Sequence, residues 1–268
     1  MTKISAVIFD WAGTTVDYGS FAPIDAFMKA FKRHGIEPTL DEVRQPMGLA
    51  KREHVRSMLA TQRLSLEWLR IHGRAFSEED VEAIYRESER QLLALLPRYA
   101  EPKPHVVETI QELRAGGIKI GSTTGYTAQM MEIVLPEAAR AGYSPDACFT
   151  PDATEQLGRP WPFMIFANMK KLRILSVAEV LKVGDTIADI KEGQNAGVVT
   201  VGVLEGSSLM GLTEEEYQAL SPSERDEARA GVRALYQAHG ADHVINNMSE
   251  LPALIRKLEA APAGGCGG

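Results

Sequence analysis

The amino-acid sequence predicts an α/β fold in which a doubly wound parallel sheet carries an inserted helical cap domain. A short apolar run at residues 4–9 stops at the acidic residue Asp10, as a buried strand does at a sheet edge. From His105 onward, helix and strand patterns alternate, which is typical of a parallel sheet covered by helices on both faces. Between these regions, residues 19–97 are rich in helix formers and poor in β-branched runs, which predicts the helical insert.

Two apolar stripes at helical spacing predict helices within the insert. One is carried by residues 26–31 and the other by residues 81–96, the second preceded by Ser77-Glu78-Glu79-Asp80, which is typical of a helix N-terminus. A proline-rich connector at residues 97–104 then ends the insert. We therefore expect a core domain of residues 1–18 and 100–259, a cap domain of residues 19–99 and a Gly/Ala-rich flexible tail of residues 260–268.

The core domain is expected to contain strands and helices in alternation. The predicted helices cover residues 107–115, 128–141, 163–172, 189–196 and 224–236, with a last one from Ser249. The predicted strands cover residues 118–122, 147–149, 180–183, 198–203 and 242–245. Such alternation requires crossover connections and therefore predicts parallel pairing of the strands.

The composition narrows the class of protein. Of the 268 residues, 44% are hydrophobic and 24% charged, as in ordinary globular proteins, and the formal net charge of −7 argues against a nucleic-acid partner. Cys148 and Cys266 form neither a disulfide framework nor a metal-ligand spacing, which favours a reducing compartment. No apolar stretch reaches the roughly 18 residues of a membrane helix, and the first apolar run is too short for a signal peptide. We expect a cytoplasmic protein with no membrane partner.

Polar residues follow three of the predicted strands. They are Asp10, the run Thr123-Thr124-Gly125, and the run Gly184-Asp185-Thr186 with Asp189 close behind. The carboxyl ends of parallel strands meet at one edge of the sheet, where open α/β proteins bind ligands. The spacing of Asp185 and Asp189 allows both to face one ligand, and Asp10 with Asp185 would supply hard oxygen ligands for Mg²⁺. Asp185 is equally open to interpretation as a helix N-cap, and Asp189 as a capping residue.

These three segments resemble the motifs of the haloacid dehalogenase superfamily of aspartate-nucleophile phosphotransferases. The resemblance implies that Asp10 attacks phosphorus and that Thr124 binds a phosphoryl oxygen. It also implies that Mg²⁺ is held by Asp10, by the backbone carbonyl of Ala12 and by Asp185, with Asp189 in a supporting role. The helical insert falls where such enzymes carry a cap.

Ala12 departs from the pattern of that superfamily. Its phosphatases mostly carry a second aspartate at this position, two residues after the nucleophile, to protonate a leaving alkoxide. A leaving group that departs on carbon does not need that acid, but its charge must be delocalised. A protonated imine next to the carbon does so, and an imine requires an amine nucleophile.

The cap supplies a candidate amine in Lys51, three residues before His54. Here the resemblance narrows to superfamily members that hydrolyse a carbon–phosphorus bond. It is carried by residues 9–19, by Pro46-Met47-Gly48 with Lys51 and His54, by residues 121–126 and by Gly158-Arg159-Pro160. It implies a Schiff base between Lys51 and an aldehyde, proton transfers assisted by His54, and a phosphate contact from Arg159. Met47, Gly48 and Gly125 would line the substrate pocket, and the resemblance implies a homodimer.

Other interpretations of these residues stay open at the level of sequence. A lysine flanked by Arg52 and Glu53 is more often a solvated surface residue, and only its combination with Ala12 favours catalysis. The expected partner is a small phosphonate, and the pKa of Lys51 is expected to be lowered by burial and nearby cations. One alternative is an ordinary phosphomonoester phosphatase or phosphomutase, against which Ala12 argues. Another is an inactive phosphate-sensing module, which leaves the cap lysine unexplained.

Overall fold

A computed structural model describes residues 3–47 and 49–260 and contains one six-stranded parallel sheet. The strands are β1 (Ala6–Phe9), β2 (Lys119–Thr123), β3 (Ala147–Phe149), β4 (Val180–Gly184), β5 (Val199–Val203) and β6 (His243–Ile245). Their order across the sheet is β3-β2-β1-β4-β5-β6. All four residues of β1 are buried, as expected for a central strand covered on both faces. The predicted fold class is confirmed.

In the described part of the chain, five helices come between β1 and the next strand and form the helical insert, or cap. They are α1 (Phe21–Arg33), α2 (Leu40–Arg44), α3 (Lys51–Leu59), α4 (Gln62–His72) and α5 (Glu78–Leu95). They surround an apolar cluster of their own that includes Phe27, Phe31, Met58 and Trp68. Ser77 caps α5 through a reciprocal capping box with Asp80, as the sequence predicts.

Seven further helices belong to the core around the sheet. They are α6 (Val106–Ala115), α7 (Ala128–Arg140), α8 (Phe163–Leu172), α9 (Ile187–Ala196), α10 (Glu214–Ala219), α11 (Pro222–Ala238) and α12 (Leu251–Ala260). The core elements predicted from the sequence are all present, with ends within two residues of the expected positions. The short helix α10 was not predicted. Cap residues Ala22 and Leu92 pack into the same apolar cluster as the sheet, so the domain limits given above stay predictions.

The topology places β1 at the switch point of the sheet. Its neighbours are β2 on one side and β4 on the other, and chain order runs outward from β1 in both directions. A crevice therefore forms beyond the carboxyl ends of these strands. Since the cap follows β1 after a short loop, its helices are tethered beside this crevice.

Several sequence predictions fall at the limits of the described residues. Ala260, the expected first residue of the tail, is the last residue of α12, whereas residues 261–268, including Cys266, lie outside the described residues. Gly48 also lies outside them. Cys148 is half-buried in β3 and packs against the apolar cluster around the sheet. Within residues 3–47 and 49–260, no helix combines the length and apolarity needed to cross a membrane.

Candidate active site

Asp10 lies directly after β1 and is held by a tight turn. Its N–H donates to the Val183 carbonyl at 2.9 Å, which continues the pairing with β4. The N–H groups of Thr14, Thr15 and Val16 all donate to the Trp11 carbonyl, at 3.1, 2.8 and 3.0 Å. The chain therefore reverses at once after the strand and leaves the Asp10 carboxylate facing the crevice, although only 4% of the residue is exposed.

Arg159 reaches the Asp10 carboxylate from the loop before α8. Its Nη2 lies 2.5 Å from Asp10 Oδ1, and the same nitrogen donates to the Thr123 carbonyl at 2.8 Å. The side chain is 1% exposed, which excludes the ordinary surface role that an arginine in a loop most often has. A guanidinium fixed in this way stabilises negative charge on Asp10 and on any phosphoryl group beside it.

A buried ionic network behind Arg159 fixes its orientation. Arg159 and Lys182 both pair with Asp189, at 3.1 and 2.9 Å, and with Glu192, at 3.0 and 3.2 Å. Lys182 and Glu192 were not predicted from the sequence. A signal was present: Lys182 interrupts the apolar strand β4, and Glu192 follows Asp189 at the spacing of one helix face.

Asp10, Asp185 and Asp189 meet in one buried acidic cluster. One carboxylate oxygen from each lies within 4.8 Å of the others. Asp185 accepts from Thr14 Oγ1 at 2.9 Å and from the Ser208 N–H at 2.8 Å. Burial and the negative charges of Asp10 and Asp189 raise the pKa of Asp185 to about 8. A divalent cation would relieve this repulsion, and buried carboxylate oxygens are the ligands that Mg²⁺ prefers, so these residues fit the expected metal.

The structure separates the roles of Asp185 and Asp189. Thr186, and not Asp185, is the N-cap of α9, so the interpretation of Asp185 as a helix cap is wrong. Asp189 forms the capping box with Thr186 and pairs with two cations, which leaves its carboxylate engaged within the protein. The carboxylate of Asp185 is therefore better placed than that of Asp189 to accept a metal ion, and Asp189 supports the ionic network around Arg159.

Lys51 is the first residue of α3 and is buried rather than solvated, with 6% of its surface exposed. Its Nζ lies 5.0 Å from the ring centroid of Tyr126 and 5.8 Å from that of Phe27. Its neighbour Arg52 instead points outward and pairs with Glu78. Lys51 shares a small cavity with core residues, lined by Asp10, Ala12, Ser20, Met47, Lys51, Thr124, Gly125, Tyr126, Arg159 and Thr186. The cap thus brings a buried amine into the cavity that Asp10 also lines.

The environment of Lys51 favours its neutral form. Burial is the main cause that lowers its pKa, the negative charge of Asp10 opposes the shift and the Arg159 guanidinium adds to it, and the net pKa is about 8. The lowered pKa expected from the sequence is confirmed. An amine with such a pKa is a far better nucleophile near neutral pH than an ordinary lysine.

His54 lies one turn after Lys51 and is fully buried. Its ring stacks on Phe27 with centroids 4.1 Å apart, and neither nitrogen has a hydrogen-bond partner among the described residues. Burial and the charge of Lys51 hold the pKa of His54 well below its usual range, so the imidazole is neutral. In the described part of the chain it does not contribute to the cavity wall that includes Lys51.

The remaining predicted substrate residues lie around the same cavity. Thr124 is buried and its Oγ1 accepts from the Tyr126 N–H at 3.0 Å, while Gly125 and Met47 line the wall. Tyr126 packs in the apolar cluster around the sheet and also lies against Lys51. Trp11 does pack, edge-on against Tyr143 at 5.0 Å between centroids.

The cavity is small, with a volume of about 20 Å³. That is space for roughly one water molecule. Met47 and Thr186 also line a neighbouring groove of about 360 Å³ between the cap and the core, together with Arg44, Pro160 and Lys191. A substrate larger than water therefore requires the cap to move away from the core before it can enter.

The fold and the site agree with the matches to known protein families. The model of haloacid dehalogenase-like hydrolases matches residues 4–197, and a second model of HAD-hydrolase-like proteins matches residues 156–251. The chain belongs to the haloacid dehalogenase-like hydrolase family.

Comparison with individual relatives shows which members of the family the chain resembles. The chain is 48% identical to a phosphonoacetaldehyde hydrolase of Lysinibacillus sphaericus over 96% of this chain and 95% of the relative. It is 49% identical to a phosphonoacetaldehyde hydrolase of Bacillus anthracis, over 96% of this chain and 97% of the relative. A solved phosphonoacetaldehyde hydrolase-like protein of Oleispira antarctica superposes with a TM-score of 0.92 at 38% identity, covering 95% of this chain and 92% of that one. Within its family the chain therefore groups with the phosphonoacetaldehyde hydrolases.

Proposed function

We propose that this protein hydrolyses the carbon–phosphorus bond of phosphonoacetaldehyde and releases acetaldehyde and phosphate. The observation that carries the proposal is the pairing of a buried lysine from the cap with a strand-end aspartate in one cavity, where Ala12 replaces the usual second acid. An amine and a carboxylate in one closed site suit a substrate that has an aldehyde at one end and a phosphoryl group at the other.

The first proposed step joins the substrate to Lys51. The neutral amine adds to the aldehyde carbon, and His54, which burial keeps neutral, is proposed to relay the proton that the attacking nitrogen releases to the carbinolamine oxygen. One further proton, taken from solvent, lets the hydroxyl leave as water and gives a protonated imine between Lys51 Nζ and that carbon. Tyr126 and Phe27 flank the nitrogen and keep bulk water from the imine.

The second proposed step breaks the carbon–phosphorus bond. Asp10 attacks phosphorus in line with the departing carbon, and the electron pair of the broken bond moves through the imine to nitrogen, giving a neutral enamine on Lys51. No proton is needed on the leaving carbon at this moment, which accounts for the alanine at position 12. Arg159, fixed at 2.5 Å from Asp10, would neutralise the phosphoryl oxygens as they approach.

The last proposed steps consume two water molecules. The enamine takes a proton on carbon, and water hydrolyses the resulting imine to acetaldehyde and free Lys51. A second water attacks the phosphoryl group on Asp10 and releases phosphate. Asp10, Asp185 and the Ala12 carbonyl would hold Mg²⁺, which when bound offsets the negative charge shared by the nucleophile and the phosphoryl group.

The test of this function compares two substrates on one enzyme preparation. We expect equal amounts of acetaldehyde and phosphate from phosphonoacetaldehyde, and turnover of an alkyl phosphate monoester lower by at least about a thousandfold, since no acid protonates its alkoxide leaving group. Phosphate is measured colorimetrically and acetaldehyde by its reduction with NADH. Faster release from the ester would favour a phosphatase and contradict the proposal.

The pH dependence of imine formation follows from the lowered pKa of Lys51. With a pKa of about 8, roughly a tenth of Lys51 is neutral at pH 7, against roughly one in three thousand for an ordinary lysine. Protonation removes the nucleophile as pH falls, so the rate of borohydride trapping should rise with pH through about 8 and then level off. A rate that continues to rise through about pH 10 would contradict this assignment.

We also propose that the protein is a homodimer, and an exposed apolar face supports this. Leu157, Trp161, Phe163 and Phe166 are all at least 40% exposed within ten consecutive residues that lead into α8. Such an exposed apolar face is typical of a protein–protein interface.

We expect the protein to sediment at twice the 29.4 kDa mass of one chain, and the Trp161→Glu variant to sediment at the mass of a single chain. Leu235→Glu, which changes an exposed leucine on α11, is the control; a monomeric wild type would refute the dimer.

A further inference from the structure

Lys103 is a buried cation beside the site that the proposed reaction does not use. It lies in the connector that returns from the cap, between Pro102 and Pro104, and is 6% exposed. Its Nζ donates to the Gly13 carbonyl and, at 2.7 Å, to the Glu205 carbonyl. The third side of the ammonium faces the Tyr18 ring, 5.3 Å from its centroid. All three donor positions of Lys103 are thus directed at fixed groups of the protein.

The Gly13 peptide is confined from two sides. A Cβ built on Gly13 would lie 2.2 Å from Asp185 Oδ2, and the residue has a φ of +86°, which glycine adopts readily. On the opposite side its carbonyl accepts from Lys103. Gly13 directly follows Ala12, and its N–H donates to the Val16 and Asp17 carbonyls at 2.8 and 3.0 Å. These bonds and the Lys103 contact hold the turn that contains the Ala12 carbonyl, which is an expected metal ligand.

The Glu205 carbonyl connects Lys103 to the other expected ligand. Glu205 lies in the loop after β5, and Ser208 of the same loop donates its N–H to Asp185 Oδ2 at 2.8 Å. Gly206 leaves the space that the ammonium needs, because a Cβ there would lie 2.8 Å from Lys103 Nζ. Lys103 therefore joins the loop that contains Ala12 to the loop that contacts Asp185.

Lys103 forms no ion pair with a carboxylate within the described ranges. Its charge is instead balanced at longer range by Asp185, Glu205, Asp17 and Asp10. A lysine buried without a carboxylate partner is rare, because the ammonium loses its hydration and gains no ion pair in return. A methionine would fill the same space with no hydration to lose. We therefore attribute the presence of a lysine here to the hydrogen bonds that its ammonium donates to the two backbone carbonyls.

We propose that Lys103 is a positioning residue for the metal site, which holds the Ala12 carbonyl and the Asp185 carboxylate in the arrangement that Mg²⁺ requires. The inference rests on the proposed function only in taking Mg²⁺ as the metal. Groups that orient ligands from outside the coordination shell typically change metal affinity about 10- to 100-fold.

The test is the Mg²⁺ dissociation constant, measured by titration calorimetry on the full chain without substrate. We expect Lys103→Met to weaken binding at least about tenfold, and Lys103→Gln, which keeps two N–H donors, to weaken it less. Lys119→Met is the matched control, because Lys119 also donates to a backbone carbonyl, that of Leu172, but at the start of β2. At saturating Mg²⁺, turnover of Lys103→Met should return to within about threefold of wild type, which general damage to the fold would not allow.

Unchanged or tighter Mg²⁺ binding in Lys103→Met would overturn the proposal. Tighter binding would mean that the ammonium affects the metal only through repulsion between the two positive charges. If this variant does not fold, as judged by its circular dichroism, the Gln variant decides: we expect it to bind Mg²⁺ at least about threefold more weakly than wild type, and equal binding overturns the proposal. Failure of the proposed function can be told apart from failure of this inference. It would appear as a lack of phosphonoacetaldehyde turnover by the wild-type protein, whatever the Mg²⁺ dissociation constants of the variants are.

Discussion

Asp10→Asn is expected to lower the turnover of phosphonoacetaldehyde by at least about a thousandfold. The amide keeps the size of the side chain and can still accept from Arg159, which lies 2.5 Å from Asp10 Oδ1. It cannot attack phosphorus as a carboxylate does, and it removes one of the three carboxyl groups from the acidic cluster. The measurement is the rate of phosphate release, together with the melting temperature to establish that the variant is folded.

The same variant separates the two halves of the proposed reaction. The negative charge of Asp10 raises the pKa of Lys51, so its removal should lower that pKa and leave imine formation intact. We therefore expect borohydride to trap the substrate on Asp10→Asn at least as fast as on wild type, while no phosphate is released. Asp25→Asn, an exposed carboxylate on α1, is the control and should behave as wild type. Phosphate release by Asp10→Asn at near wild-type rates would mean that another group is the nucleophile.

Lys51→Arg is expected to lower turnover by a similar factor of at least about a thousand, for a different reason. The guanidinium keeps a positive charge beside Asp10 but stays protonated at all relevant pH values and forms no imine. Without the imine, the departing carbon has nowhere to delocalise its electron pair. We expect neither borohydride trapping nor acetaldehyde release from this variant.

Peptide mass mapping after borohydride reduction locates the reactive lysine directly. The wild-type protein should carry the two-carbon phosphonate adduct, or its dephosphorylated form, on the peptide that contains Lys51. Lys32→Arg is the control, because Lys32 belongs to the same cap but its side chain is 74% exposed. An adduct on any other lysine, or substantial turnover by Lys51→Arg, would rule out the imine mechanism at this position.

Much of the fold was predictable because it depends on local patterns. The continuous apolar run of β1 and the alternation of helices and strands after His105 indicate a parallel sheet, since a strand buried on both faces has no polar period. The short helix α10 was missed because its six residues are too few to show an apolar stripe. The helices α2 to α4 were not predicted individually. They fall within the predicted helical insert, but no apolar stripe was assigned to any of the three.

The candidate site was predictable only where its residues follow strands directly. Asp10, Thr124 and Asp185 come at the ends of β1, β2 and β4, so parallel pairing alone brings them to one edge. Lys103, Lys182 and Glu192 were not selected, although all three are buried with their polar atoms at the site. A charged residue within a strand or a connector gives no sign of its partner until the chain is folded.

Properties of neighbouring residues could be read from the chain alone: the succession of strands and helices, the acid at the end of β1 and the alanine in place of a second acid at position 12. The pairing of charges depended on the folded molecule. Arg159 meets Asp10 across 149 positions of sequence, and Lys51 loses its water because the cap lies against the core. The ionisation of a buried side chain depends on burial and on charges within a few ångströms, and those neighbours come from segments far apart in the chain.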